Sequence, residues 1–231
     1  MIFNKVEYNE QLMSKVSEFE RLPKKEKIGG YWDRQDDNEL KNLKKHIKDH
    51  YIIAQDYTCP YCQQKIVVDH NMAWDIEHII PKSTHPSFLF KPLNLCIACK
   101  DCNTEKDNKN VLVNATRKTL PIKSEDYIIS HPHLDNYDSD IKVIEESLYF
   151  LPKTDKGRKT IEICGLLRFI YKYSNYGNVQ QSIKEGILAY TQALLNTSNP
   201  IEENLYLSFI EDLTLQGKKL SKLEFQRNFH K

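Results

Sequence analysis

Apolar residues recur at helical spacing toward both ends of the chain and at no fixed spacing in its middle. Tyr8, Leu12, Val16 and Phe19 fall three and four apart, the stripe of an amphipathic helix with one buried face. Pro23 stops that pattern, and Gly29-Gly30 hold a helix poorly, so Lys24 to Asp33 reads as a polar connector. From Asp37 to Ala54 the positions Leu40, Leu43, Ile47, Tyr51 and Ala54 share a face with lysines on the other, which predicts a second helix. Between Cys59 and Lys118 the texture changes to short β-prone runs, Lys65 to Val68 and Trp74 to Ile80, set among tight turns. Val111 to Pro152 is mixed, turn-rich from His131 to Asp140, with a short strand predicted at Ser147 to Leu151. Helices are predicted at Thr160 to Tyr173, Val179 to Leu195 and Pro200 to about Gln216, with a further short helix at the end. Asn199 can cap the third of these, Pro200 fits its first turn, and Glu202 stands where a capping box places its acid.

The expected organisation is therefore α+β: a helical segment over residues 1–55, a chemical module over 56–120, and a mixed, then helical region over 121–231. Residues 160–231 either pack on that module or stand as a domain of their own. Lys and Arg total 33 against 32 Asp and Glu, a net charge of +1, so nucleic-acid binding would have to rest on local charge. No window approaches the roughly 20 apolar residues of a membrane span. Charges enter within the first ten residues without an apolar run, which argues against a secretory signal and makes the cytoplasm the expected location.

In that setting six cysteines point to metal or redox chemistry rather than disulfides. Four form two C-x-x-C pairs, Cys59-Pro-Tyr-Cys62 and Cys99-Lys-Asp-Cys102, and each pair has the bite of half a tetrahedral Zn²⁺ shell. The 36 residues between Cys62 and Cys99 exceed the interval of a simple zinc ribbon, so the pinned loop must contain structure of its own. A thiol redox pair is the rival account, and Cys96 could pair with Cys99, although its apolar run Leu93, Leu95, Ile97 makes it more simply a buried small residue.

Inside the loop lies Trp74-Asp75-Ile76-Glu77-His78-Ile79-Ile80, an apolar strand broken by adjacent acid and imidazole. Asn94 follows five residues before the second Cys pair; Asn103 comes directly after that pair, and Lys106 three residues further on. This joint spacing over Cys59 to Lys109 resembles the HNH, or ββα-metal, nuclease motif with flanking zinc-binding cysteines. The resemblance implies a zinc-stapled ββα-metal module whose signature positions are His78, Asn94 and Asn103. It implies His78 as general base, Asn94 as the residue that holds the loop and orients the imidazole, and Glu77 with Asn103 as ligands of a catalytic Mg²⁺ or Mn²⁺. Lys82, Lys106 and Lys109 would meet phosphate oxygens of DNA. One departure matters, because the acid before the histidine is often Asp in this family, and the longer Glu77 could leave the ligand role partly to Asp75.

Local charge fits a modest footprint: Lys82 to Lys118 holds seven cationic residues against three acidic ones, a surplus of four, which is equally the composition of a solvated face. His131 and His133 near Asp135 could form a second metal site, although such a loop is more often structural, and His70 and His85 carry no assignment. Cys164 lies on an apolar helical stripe and reads as core. From His131-Pro-His-Leu-Asp135 through Lys156-Gly157-Arg158 to Gly165-Leu-Leu-Arg168 the chain is similar to HNH proteins of Septu-type and retron-linked bacterial anti-phage systems. That similarity implies an ATPase partner, docked by the helical ends. A zinc-stabilised binding module without catalysis and a nuclease acting on RNA are the alternatives. The presence of His78 together with Asn103 favours an enzyme.

Overall fold

A computed structural model describes residues 3–68, 71–144, 149–169 and 178–229. His70, Ser147 and residues 170–173 of the expected first C-terminal helix lie outside the described residues. The chain divides into two units, Met1–Ile170 and Tyr171–Lys231.

In the first unit, α1 (Glu10–Arg21) starts where the Asn9 side chain accepts from the Leu12 amide, and it buries Val16 and Phe19. α2 (Asn38–Ala54) is capped by Asp37 in the same way and buries Leu40, Leu43, Ile47 and Tyr51, as its periodicity predicts. Lys15 is buried between the two helices and forms ion pairs with Glu18 at 2.8 Å and Asp37 at 2.6 Å. The connector expected to be polar is instead two short 3₁₀ turns, Lys24–Glu26 and Gly29–Asp33, and the second seats Tyr31 and Trp32 in the core. Aromatic contacts hold it there: Tyr31 lies 4.8 Å from Phe19, and Trp32 lies 5.6 Å from Phe90.

β1 (Trp74–His78) pairs antiparallel with β2 (Leu95–Cys99), in a register that sets Trp74 opposite Cys99 and His78 opposite Leu95. α3 (Lys100–Lys106) follows directly, and β1, β2 and α3 make the ββα unit. Lys65 to Val68 forms no strand, only an isolated bridge between Thr58 and Lys65, because the chain turns tightly through Gln63 at φ 56°. Packing runs continuously across residue 55. The Gln55 amide donates to the Ile97 carbonyl at 3.0 Å and accepts from the Ile97 amide at 2.8 Å, while Tyr51 donates its hydroxyl proton to the Pro92 carbonyl at 2.8 Å. The end of α2 is thereby fixed to the open edge of β2, which satisfies backbone groups that would otherwise be orphaned in the core.

After the ββα unit come α4 (Tyr137–Asp140), a hairpin of β3 (Ile141–Ile144) with β4 (Tyr149–Pro152), and α5 (Asp155–Ile163). α5 begins five residues before the expected start, because Thr154 caps it onto the Gly157 amide at 3.1 Å. It ends at Ile163 rather than running on: Gly165 takes φ +59°, and the Leu166 amide closes back onto the Ile161 carbonyl at 2.9 Å, a glycine-type helix stop.

The second unit is a hairpin of α6 (Gln181–Asn196) and α7 (Pro200–Phe229). Asn199 caps α7 by accepting from the Ile201 amide, while Glu202 accepts from the Thr197 hydroxyl instead of closing the expected box. α7 runs on past Gln216 as one helix of 30 residues. Gly217 faces α6, where an added Cβ would stand 3.2 Å from Ile183, so this glycine permits close packing and does not break the helix. No helix among the described residues is long and apolar enough to cross a membrane.

Candidate active site

The two Cys pairs converge. Cys59, Cys62, Cys99 and Cys102 are buried and free of disulfides, and their sulfurs all lie within 4.8 Å of one another. Cys62 Sγ stands 3.8 Å from Cys99 Sγ. Four sulfurs at the Zn–S distance around a tetrahedral ion would stand about 3.8 Å apart, so the donor set fits zinc. Arg168 donates to Cys102 Sγ at 3.1 Å and to the carbonyls of Cys164 and Gly165, which sets one fixed positive charge against the sulfurs. Cys96 is fully buried in β2 and outside this cluster, in keeping with a core role, as is Cys164.

The ββα unit and α2 together line a cleft of about 600 Å³. Its wall includes Trp32, Lys44, Lys48, Asp75, His78 and Asn103. His78 stands at the end of β1 with its ring edge-on to Trp32, 4.6 Å between centroids, and its Nε2 lies 3.1 Å from the Leu89 carbonyl. A carbonyl can only accept, so Nε2 carries the proton and Nδ1 keeps its lone pair. Burial pushes the imidazole down to about 3, which keeps it neutral near pH 7. Asn94, wholly buried, closes the 80–94 loop: its Oδ1 accepts from the Ile80 amide at 2.7 Å and its Nδ2 donates to the carbonyls of Ile80 and Phe88. That loop also carries Leu89, so Asn94 fixes the carbonyl that orients His78.

Glu77 and Asn103, expected to share one catalytic cation, take different side-chain partners. Asn103 Nδ2 donates to Asp75 Oδ2 at 3.0 Å, whereas Glu77, buried, accepts from Tyr61 at 3.2 Å and pairs with Lys106 at 2.5 Å. Burial pushes the Glu77 carboxyl up and Lys106 acts against it. Lys106 is also moved from its expected place. It has no exposed surface and also donates to the His78 carbonyl at 3.1 Å, so it ties β1 to α3. Lys109 donates to the Ile163 carbonyl at 3.0 Å, and Lys82 grips both oxygens of Asp33 at 2.6 Å on the cleft rim. The α2 lysines lie about 30 residues ahead of His78, and their one advance signal was the lysine face of the predicted helix.

The loop of His131, His133 and Asp135 gathers no metal-ligand cluster; among the described residues the four cysteines form the one such group. His133 Nε2 donates to the Leu95 carbonyl at 2.7 Å, His131 lies 4.3 Å from the Tyr127 ring, and Asp135 pairs with Lys156 at 2.8 Å. Burial pushes His131 from 6.5 down to about 3, and His133 is lowered for the same reason. Between those limits the unfolded chain binds a proton that the folded chain refuses, so stability falls as pH drops below about 6.5. For His131 the loss is about 2 kcal/mol at pH 5. Thermal unfolding at pH 7 and pH 5 should show a smaller acid-induced fall in Tm for His131→Asn than for wild type; equal falls would contradict the assignment.

Residues 59–109, which hold the Cys-bracketed ββα unit, match the HNH endonuclease family. The chain carries an HNH endonuclease domain. Over a wider span it is similar to the Septu protein PtuB of Bacillus thuringiensis, 25% identical over 192 residues that cover 78% of this chain and 73% of that protein. The resemblance to Septu-type proteins is thus borne out. Protein ea31 of Escherichia phage lambda is 24% identical over 102 residues, 43% of this chain and 29% of that protein. No solved structure matches the chain.

Proposed function

We propose that this protein is a metal-dependent HNH endonuclease that hydrolyses DNA phosphodiester bonds, acting in the cytoplasm as the nuclease subunit of a bacterial anti-phage defence complex with an ATPase partner. The observation that carries the catalytic reading is the Leu89 carbonyl on His78 Nε2, which leaves Nδ1 free as a base in the same cleft as the Asp75–Asn103 pair. His78 takes a proton from the attacking water at Nδ1, and its contact with Leu89 holds the ring in the one tautomer able to do so. Asp75 Oδ and Asn103 Oδ1 are hard oxygen donors side by side, a set that fits Mg²⁺ or Mn²⁺. When bound, such a cation supplies positive charge to the scissile phosphate and its leaving oxygen. Glu77 keeps β1 and α3 together through Lys106, and Lys82 is placed to meet phosphate at the rim by exchanging Asp33 for it. Zinc on the four cysteines is structural, because the cluster is closed and buried away from solvent.

The similarity to PtuB supports the defence setting. Exposed apolar side chains on the second unit, among them Leu188, Leu195, Ile201 and Leu205, support a protein partner. Expressed with the ATPase subunit of the proposed complex, the protein should co-purify with it and nick plasmid DNA in Mg²⁺ or Mn²⁺, with activity lost in EDTA. Cleavage of RNA alone, or EDTA-resistant nicking, would overturn the reading.

A further inference from the structure

The nuclease motif makes only part of the cleft, and α2 supplies another part. Its buried stripe, Leu40, Leu43, Ile47 and Tyr51, together with the Gln55 and Tyr51 hydrogen bonds to β2 and its approach, fixes the rotation of the helix. Lys44 and Lys48, one turn apart, consequently line the cleft with Asp75, His78 and Asn103. The lysines of this helix differ in what holds them. Lys44 donates to the Trp32 carbonyl at 3.1 Å, and Lys45, exposed, pairs with Asp49 at 2.5 Å. Lys48 is half-buried and reaches no carboxylate within ion-pair distance among the described residues. The charges that act on it are Asp75 and Asp49, which favour its ammonium, and Lys100, which opposes it, while burial pushes its pKa down.

A partly desolvated ammonium without a close counter-ion costs free energy that an arriving anion would recover. The anion must be one that also suits the Asp75–Asn103 pair across the cleft, and a phosphodiester is such a group. We propose that Lys48, backed by Lys44, is the phosphate-binding wall of the cleft and grips the DNA backbone beside the scissile bond. This deepens the nuclease reading above and rests on it. It also explains how a chain with a net charge of +1 gathers local positive charge where substrate must lie, since Lys106 and Lys109 are spent on internal contacts.

The test is fluorescence anisotropy of a labelled DNA duplex with the full chain across a salt series, in a His78→Ala background so that the duplex stays intact. Lys48→Gln should flatten the slope of log affinity against log salt by roughly 0.9 and weaken binding roughly tenfold at low salt, the signature of one lost phosphate contact. Lys48→Arg should restore both, and Lys41→Gln, exposed on α2 outside the cleft, should change neither. A Lys48→Gln slope equal to that of Lys41→Gln would overturn the proposal. If the wild-type chain still cleaved DNA in that case, the wall alone would be lost and the nuclease reading would stand. Absence of both binding and cleavage would overturn the two together.

Discussion

Replacing His78 with alanine is expected to lower the cleavage rate by about 10²- to 10⁴-fold, the usual cost of losing a general base. The reason lies in how completely the ring is prepared. It is held edge-on by Trp32, its Nε2 proton is committed to Leu89, and Asn94 fixes the loop that carries Leu89. Each of these constraints fixes the orientation of the ring. Alanine leaves the Leu89 carbonyl without its donor, at a cost of about 1–3 kcal/mol. The variant should therefore melt somewhat lower yet remain folded, with its zinc content unchanged. Plasmid nicking measured beside a melting curve separates the two effects. Wild-type cleavage by a folded His78→Ala protein would remove the imidazole from the mechanism.

What the chain discloses by itself depends on how local the cause is. α1 and α2 were legible because a helix writes its buried face into residues three and four apart, and Asn9 and Asp37 cap within the same stretch. β2 was not: all five of its residues are buried, so no alternation marks it, and only the register with β1 shows that the Leu95–Cys99 run is a strand. Tyr31 and Trp32 sit in a turn too short to show a period, and their burial is decided by Phe19 and Phe90 from other segments. Gly217 shows the opposite failure, a residue that usually ends helices standing inside one, at a place where a side chain would crowd Ile183.

The site divides along the same line. The cysteine spacing announces a metal knuckle because the two thiolates of each pair are neighbours in sequence, whereas His78, Asn94 and Asn103 are singled out by what the resemblance to the HNH motif implies. The choice between Asp75 and Glu77 could not be made that way. The two acids lie two apart on one strand and so have equal claims, until Lys106 arrives from α3 and takes Glu77 into the core. Sequence order likewise gives no reason to connect Lys48 with residues 75–103; the connection is made by Gln55 and Tyr51, which fix α2 against β2.

Loss of the metal knuckle should have the largest structural effect. Cys59→Ser or Cys102→Ser is expected to release zinc and unfold the central module, since structural zinc contributes on the order of 10 kcal/mol in small domains, comparable to the whole stability of an ordinary one. The consequence extends beyond four sulfurs. The first knuckle carries Tyr61, whose hydroxyl meets Glu77 and whose carbonyl accepts from Tyr137; the second immediately precedes Asn103, and its Cys102 anchors Arg168. Without the ion, the buried Glu77–Lys106 pair loses the frame that keeps it desolvated, and both charges return to water. Base, loop and amide therefore depend on one cross-link to which none of them contributes a ligand. Metal analysis should find one zinc per wild-type chain and none in either variant, with the cooperative thermal transition of the first unit lost. A zinc-free variant that melts like wild type would show that the ββα unit stands on its own hydrophobic core.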